Sequence, residues 1–79
     1  MYYTYIIQSD KSGRFYVGST QDLESRLNCH NHGQNPSTKN KGPWKLVAYY
    51  EFETRAESVQ YERKIKKRGI GRFMKDQAK

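Results

Sequence analysis

Near Gln21 the spacing of apolar residues changes from that of extended chain to that of a helix, which restricts the chain to folds that mix the two. Before that point, Tyr2 to Gln8 is dense in aromatic and β-branched residues and reads as a strand. Ser9-Asp10-Lys11-Ser12-Gly13 favours a turn, and Phe15 to Ser19 reads as the returning strand of a hairpin whose loop has about five residues. Beyond it, Leu23 and Leu27 stand four apart while Asp22 and Glu24 place negative charge where a helix N-terminus prefers it. A helix is predicted over roughly 21–32.

The segment 33–43 has no periodicity and is rich in Gly, Asn and Pro, so it reads as a loop. From Lys45 to Phe52 a near-continuous apolar run, Leu46 to Tyr50, suits a strand buried on both faces, which predicts that this strand is the central one. Thr54 and Glu57 form a capping box and start a second helix. Gly69 is suited to the left-handed residue after a helix end, so that helix is expected to stop near Arg68. The tail from Gly71 has Phe73 and Met74 as its large apolar anchors and is expected to form a short third helix or to fray. The order is that of an α+β fold.

At 79 residues the chain is expected to form a single domain over residues 1–79, with one small core. It has no apolar run long enough to span a bilayer, and its first residues lack the features of a secretory signal, which predicts a cytoplasmic protein with no membrane role. One cysteine, Cys29, excludes an internal disulfide and a zinc site built on several thiolates of one chain. Fifteen Lys and Arg against eight Asp and Glu give a formal charge of +7, which points to a polyanionic partner. The excess is clustered. Arg63, Lys64, Lys66, Lys67, Arg68, Arg72 and Lys75 crowd the last quarter, and Lys39, Lys41 and Lys45 sit in and just after the loop. Clustering favours a surface that tracks phosphates over one that is merely solvated.

On the first helix Leu23, Arg26, Leu27 and His30 fall within about 100° of arc, so the face that enters the core also carries a guanidinium and an imidazole. Read singly, Arg26 snorkels past the leucines and His30 is a rim residue. On the second helix Val59, Glu62 and Ile65 share a face, although Tyr61 opens another. A carboxylate between apolar neighbours calls for a cation, either Arg26 or an ion. Tyr5 and Tyr16, on adjoining strands, are placed to face each other across the hairpin. Trp44 and Tyr49 or Tyr50 read as core rather than as base-stacking platforms.

Taken together, Tyr3-Thr4-Tyr5, then Tyr16-Val17-Gly18, then Arg26, His30 and a helical Glu62 resemble the GIY-YIG nuclease domain, over nearly the whole chain. The continuous stretch from Tyr16 to His30 is the specific part, and the flavour is that of small bacterial proteins related to the nuclease half of branched-DNA-cutting enzymes. Two positions depart from the pattern. Tyr3 stands where the family name has Gly, and Gly69 to Phe73 offers no counterpart of the polar residue, often Asn, that follows the Glu helix in many relatives.

The resemblance implies a three-stranded antiparallel sheet flanked by helices, with a catalytic face on the sheet and first helix. It also implies hydrolysis of DNA phosphodiesters with one Mg²⁺ or Mn²⁺ ion. By position it makes Tyr5, Tyr16, Arg26, His30 and Glu62 catalytic, Glu62 the metal ligand, and Gly18 the residue that lets the strand end close to the site. One carboxylate suffices where waters and a phosphate complete the shell of a hard cation, and Arg26 would clamp that phosphate. An ordinary tyrosine is ionised to only about one part in a thousand at pH 7, so a tyrosine base is expected to have its pKa lowered by Arg26 and the metal.

The leading expectation is therefore a DNA endonuclease of low sequence specificity, of the repair and recombination type, drawn to branched or single-strand-containing DNA. Lys39, Lys41, Lys45, Arg63, Lys66, Lys67 and Arg68 are its expected phosphate contacts. A domain this small is expected to need a protein partner or a second copy to grip DNA. Two other classes remain open at this stage: a non-catalytic nucleic-acid-binding module, and an interaction protein that docks an acidic partner through its basic C-terminal segment.

Overall fold

The computed structural model describes residues 1–33 and 42–77. Its elements run β1 (Tyr2–Ser9), β2 (Phe15–Thr20), α1 (Leu23–Asn31), β3 (Trp44–Phe52), α2 (Arg55–Arg68) and α3 (Ile70–Gln77). The strands form one antiparallel sheet in the order β2-β1-β3, with helices on both faces. This is the expected α+β architecture.

The turn between β1 and β2 is fixed by Ser9, whose Oγ accepts from the amides of Lys11 and Ser12 at 3.2 and 3.1 Å. Gly13 takes a φ of 77° there, a region open to glycine without steric cost. Asp22 caps α1 by accepting from the Ser25 amide at 3.1 Å. The Thr54–Glu57 capping box forms as expected, and α2 ends at Gly69 with a φ of 94°. The tail folds as α3 and docks through Phe73, which is 7% exposed.

The central strand is β1, and β3 is an edge strand, contrary to the expectation from its apolar run. The reason is a β-bulge. Ile6 pairs with Ala48 and Ile7 with Leu46, leaving Val47 as the extra residue. Both Val47 and Ala48 therefore turn to one face, where they pack with Tyr50, while Leu46 and Tyr49 turn to the other and are 37% and 51% exposed. The continuous apolar run thus marks a break in strand alternation, not burial on two sides.

Each face of the sheet carries its own core. On one, Ile6, Val17, Ile65 and Phe73 pack beneath α2 and α3, joined by Tyr50 and Tyr61 in edge-to-face contact at 4.9 Å between centroids. A buried hydrogen bond from Thr4 Oγ1 to the Ser58 carbonyl, 2.6 Å, fastens α2 to the central strand. On the other face Tyr5, Ile7 and Trp44 pack with Tyr16, Leu23 and Leu27. There Asn31 ties the end of α1 to the start of β3, accepting from the Trp44 amide at 2.6 Å and donating to its carbonyl at 3.1 Å. Lys39 and Lys41, expected to contact phosphate, lie outside the described residues.

Candidate active site

The side chains of Tyr3, Tyr5 and Ile7 leave β1 on the α1 side, because alternate residues of a strand share a face. In the hairpin Tyr5 stands opposite Gly18, and Tyr16 opposite Ile7, so the two tyrosines are diagonal neighbours rather than a facing pair. Gly18 explains the arrangement. A Cβ at that position would lie 2.5 Å from the Tyr5 hydroxyl and 2.8 Å from Cζ, so the missing side chain is the space that the phenol occupies. Gly18 thus makes room for Tyr5 rather than ending the strand, and β2 runs on to Thr20.

The Tyr5 hydroxyl meets His30 Nε2 at 2.9 Å. His30 is 1% exposed, so it is a core residue and not the rim residue that helical spacing allowed. The half-buried Tyr16 packs edge-on to the imidazole at 4.8 Å, closing the cluster from the second strand. Arg26, one turn before His30, is exposed, yet its guanidinium acts on the Tyr5 hydroxyl. Four of the five expected catalytic residues are thus brought together on one face of the sheet.

Their electrostatics reverse one expectation. Burial, then the neighbouring Tyr16, pushes Tyr5 up to about 12, and the opposing pull of Arg26 does not offset this. Removing water from around a phenolate costs more here than one guanidinium returns. His30 is shifted the other way, downward, first by burial and then by Arg26, which disfavours a second positive charge beside it. At neutral pH the pair is accordingly a protonated phenol against a neutral imidazole.

Glu62 approaches from the other face. The deepest stripe of α2 is Ser58 and Ile65, leaving Glu62 on its shoulder where the chain passes from β2 into α1. Its Oε1 accepts from Ser19 Oγ at 2.8 Å, and its Oε2 pairs with Lys66 Nζ at 2.8 Å, one helical turn on. The cation beside Glu62 is therefore Lys66; among the described residues no ion pair joins Glu62 to Arg26. The carboxylate borders a cleft of about 370 Å³ lined also by Tyr2, Ser19, Thr20, Gln21 and Arg55. Its charge still reaches Tyr5, as the smallest of the influences on that phenol.

The first 69 residues match the family model described as the GIY-YIG catalytic domain. The chain belongs to the GIY-YIG family. It is 33% identical to the UPF0213 protein BH0048 of Halalkalibacterium halodurans over 82% of this chain and 69% of that one. It is similar in fold to the solution NMR structure of the UPF0213 protein BH0048 from Bacillus halodurans, with a TM-score of 0.57, 31% identity, and coverage of 99% of this chain and 82% of that one. It is also 33% identical to the structure-specific endonuclease subunit slx1 of Schizosaccharomyces pombe, over 95% of this chain but 30% of that one. The chain thus spans less than a third of that larger relative.

Glu62 is the carboxylate in the cleft, with a side chain 20% exposed. Among the described residues no group of three or more His, Cys, Asp and Glu converges on one point. This donor set fits a hard cation that keeps most of its waters and takes a phosphate oxygen, and it does not fit a cage of protein ligands. Ser19 and Arg55, which the sequence pattern does not single out, join Glu62 at the cleft. Arg55 lies seven residues before Glu62, two helical turns, a spacing that places both on one side of α2.

Of the basic residues expected to meet phosphate, Lys66 pairs with Glu62, Arg68 makes two bonds to Asp76 at 3.0 and 3.2 Å, and Lys45 pairs with Asp10 at 3.5 Å. Arg63 and Lys67 are exposed on α2. That helix covers the face opposite to Tyr5 and His30, so its basic cluster and the tyrosine cluster look to different sides of the sheet.

Proposed function

We propose that the chain is a divalent-metal-dependent endonuclease that hydrolyses DNA phosphodiester bonds with low sequence specificity. Its preference is for branched or distorted DNA, in repair or recombination within the cytoplasm, and residues 1–79 fold as one domain. The observation that carries this reading is the Tyr5–His30 hydrogen bond beside Arg26 and Tyr16, within a GIY-YIG chain. The structure-specific endonuclease subunit among its relatives supports the choice of substrate class.

Mg²⁺ or Mn²⁺ would be held by Glu62, with Ser19 orienting the carboxylate. When bound there, the ion supplies positive charge to the phosphate oxygens and makes its water more acidic. Arg26, exposed beside the tyrosines, binds a non-bridging phosphate oxygen and opposes the charge that builds on it during attack. Water attacks phosphorus, one P–O ester bond breaks, the departing oxygen takes a proton from solvent and leaves as the hydroxyl end of the cut strand, and the attacking water's own proton must leave.

His30 is the store for that proton. Its imidazole is neutral, whereas Tyr5, with its pKa near 12, holds its own proton tightly. Tyr16, more exposed than Tyr5, meets the incoming water, and the Tyr5 hydroxyl, hydrogen-bonded to His30 Nε2 at 2.9 Å, passes its proton to the imidazole as it takes up the water's, so that Tyr5 stays protonated throughout. Lys66, paired with Oε2 of Glu62 at 2.8 Å, stands beside the same carboxylate and would be placed to meet a phosphate oxygen there.

Purified protein should nick a panel of duplex, flap and junction DNA with Mg²⁺ or Mn²⁺ and stop when a chelator is added. Glu62→Ala and Arg26→Ala should each lower the rate by at least about a hundredfold, in the range for losing one charge-stabilising group. Absence of cleavage on every substrate would sink the reading.

A further inference from the structure

Among the described residues, the cover of the α1 face of the sheet is only partial. α1 fastens to the Trp44 end of β3 and leaves the Tyr49 end open. Tyr49 is the direct cross-strand partner of Tyr5, so its ring stands on the same face as the Tyr5 cluster, on the neighbouring strand. It is 51% exposed, and the half-buried Tyr3 meets it edge-to-face at 6.1 Å between centroids. Leu46, 37% exposed on the same side of β3, extends the apolar strip.

We propose that Tyr49, buttressed by Tyr3, is a stacking platform for an unpaired base next to the scissile phosphate. This rests on the endonuclease reading above and names the element that selects single-stranded or distorted DNA.

The charges around the strip decide what lies on it. Arg26 is exposed beside Tyr5 and offers a phosphate contact at one margin. Glu51, the cross-strand partner of Tyr3, is exposed at the other and repels phosphate. A strand crossing this face therefore keeps its phosphate at Arg26 and turns its base toward Tyr49. A base inside intact duplex has both π faces covered by its neighbours and gives the ring nothing to stack on, whereas an unpaired base does. The chain's charge of +7 draws the polyanion in, and the rigid edge-to-face pair fixes where one base rests.

The test measures metal-free binding of a fluorescein-labelled single-stranded oligonucleotide and of the same sequence as duplex, in chelator, by fluorescence anisotropy. Tyr49→Ala should weaken single-strand binding roughly five- to a hundredfold, as for the loss of one stacked base, and duplex binding by less than about twofold. Tyr49→Trp should restore single-strand binding, and circular dichroism should confirm that both variants fold. Equal loss on both oligonucleotides, or loss on neither, overturns the platform. So does a wild type that binds no DNA but self-associates through Tyr49. Because no cleavage is involved, a protein that binds but does not cut refutes the endonuclease reading and leaves the platform standing. One that cuts without Tyr49-dependent discrimination does the reverse.

Discussion

Gly18 shows how much one hydrogen atom in place of a side chain can determine. The Tyr5 ring occupies the volume that any Cβ at position 18 would fill, and the strand backbone there cannot retreat without breaking its pairing with β1. Gly18→Ala should therefore displace Tyr5 from His30 and destabilise the fold by about 1–3 kcal/mol, the usual range for overpacking. Urea denaturation would check the stability, and nicking assays should show activity falling further than stability alone accounts for. The tripeptide Tyr16-Val17-Gly18 is visible in the sequence, but the reason for its glycine is not. That reason lies in register, which sets Gly18 against a residue thirteen positions away.

At the level of elements, the starts and stops of the helices were legible because they depend on neighbours in the chain. The capping box at Thr54 and Glu57 is a contact over three residues, with the Glu57 amide donating to Thr54 Oγ1 at 3.2 Å. Thr54→Ala should cost about 1 kcal/mol by leaving that amide without its acceptor. The measurement is the urea midpoint, and DNA cleavage at a temperature well below the transition should be unchanged. Strand order was not legible in the same way. The Leu46–Tyr50 run pointed to a central strand, and the bulge at Val47 that accounts for it is a property of pairing with β1, not of β3 itself. The same bulge leaves Tyr49 in the open, where the sequence allowed it to be core.

For the molecule as a whole, the buried Tyr5–His30 pair ties stability to pH at both ends. His30 has its folded pKa below the ordinary value of 6.5, so the unfolded chain binds its proton first as pH falls. The corresponding stability is fully present above pH 6.5 and is lost as pH drops from there through the lowered folded value. Tyr5 acts in the opposite direction, with stability present below pH 10 and lost as pH rises from 10 through about 12. Denaturation midpoints should therefore form a plateau between about pH 6.5 and 10 and fall on either side. The acid limb should flatten in His30→Phe, and the alkaline limb in Tyr5→Phe.

Legible in the sequence were the local features: the hairpin turn, the capping box of α2 and its stop at Gly69, the order of elements, and the residue types that place the chain in the GIY-YIG family. Each depends on residues close in the chain or on a spaced pattern that position alone displays. Tertiary structure decided which strand is central, that His30 is buried against Tyr5, and that Glu62 meets Lys66 and Ser19 rather than Arg26. It also decided the direction in which Tyr5 is shifted. Those outcomes turn on how much water each group loses and which charges stand beside it, and both quantities come into being only when segments distant in sequence pack on the two faces of one sheet.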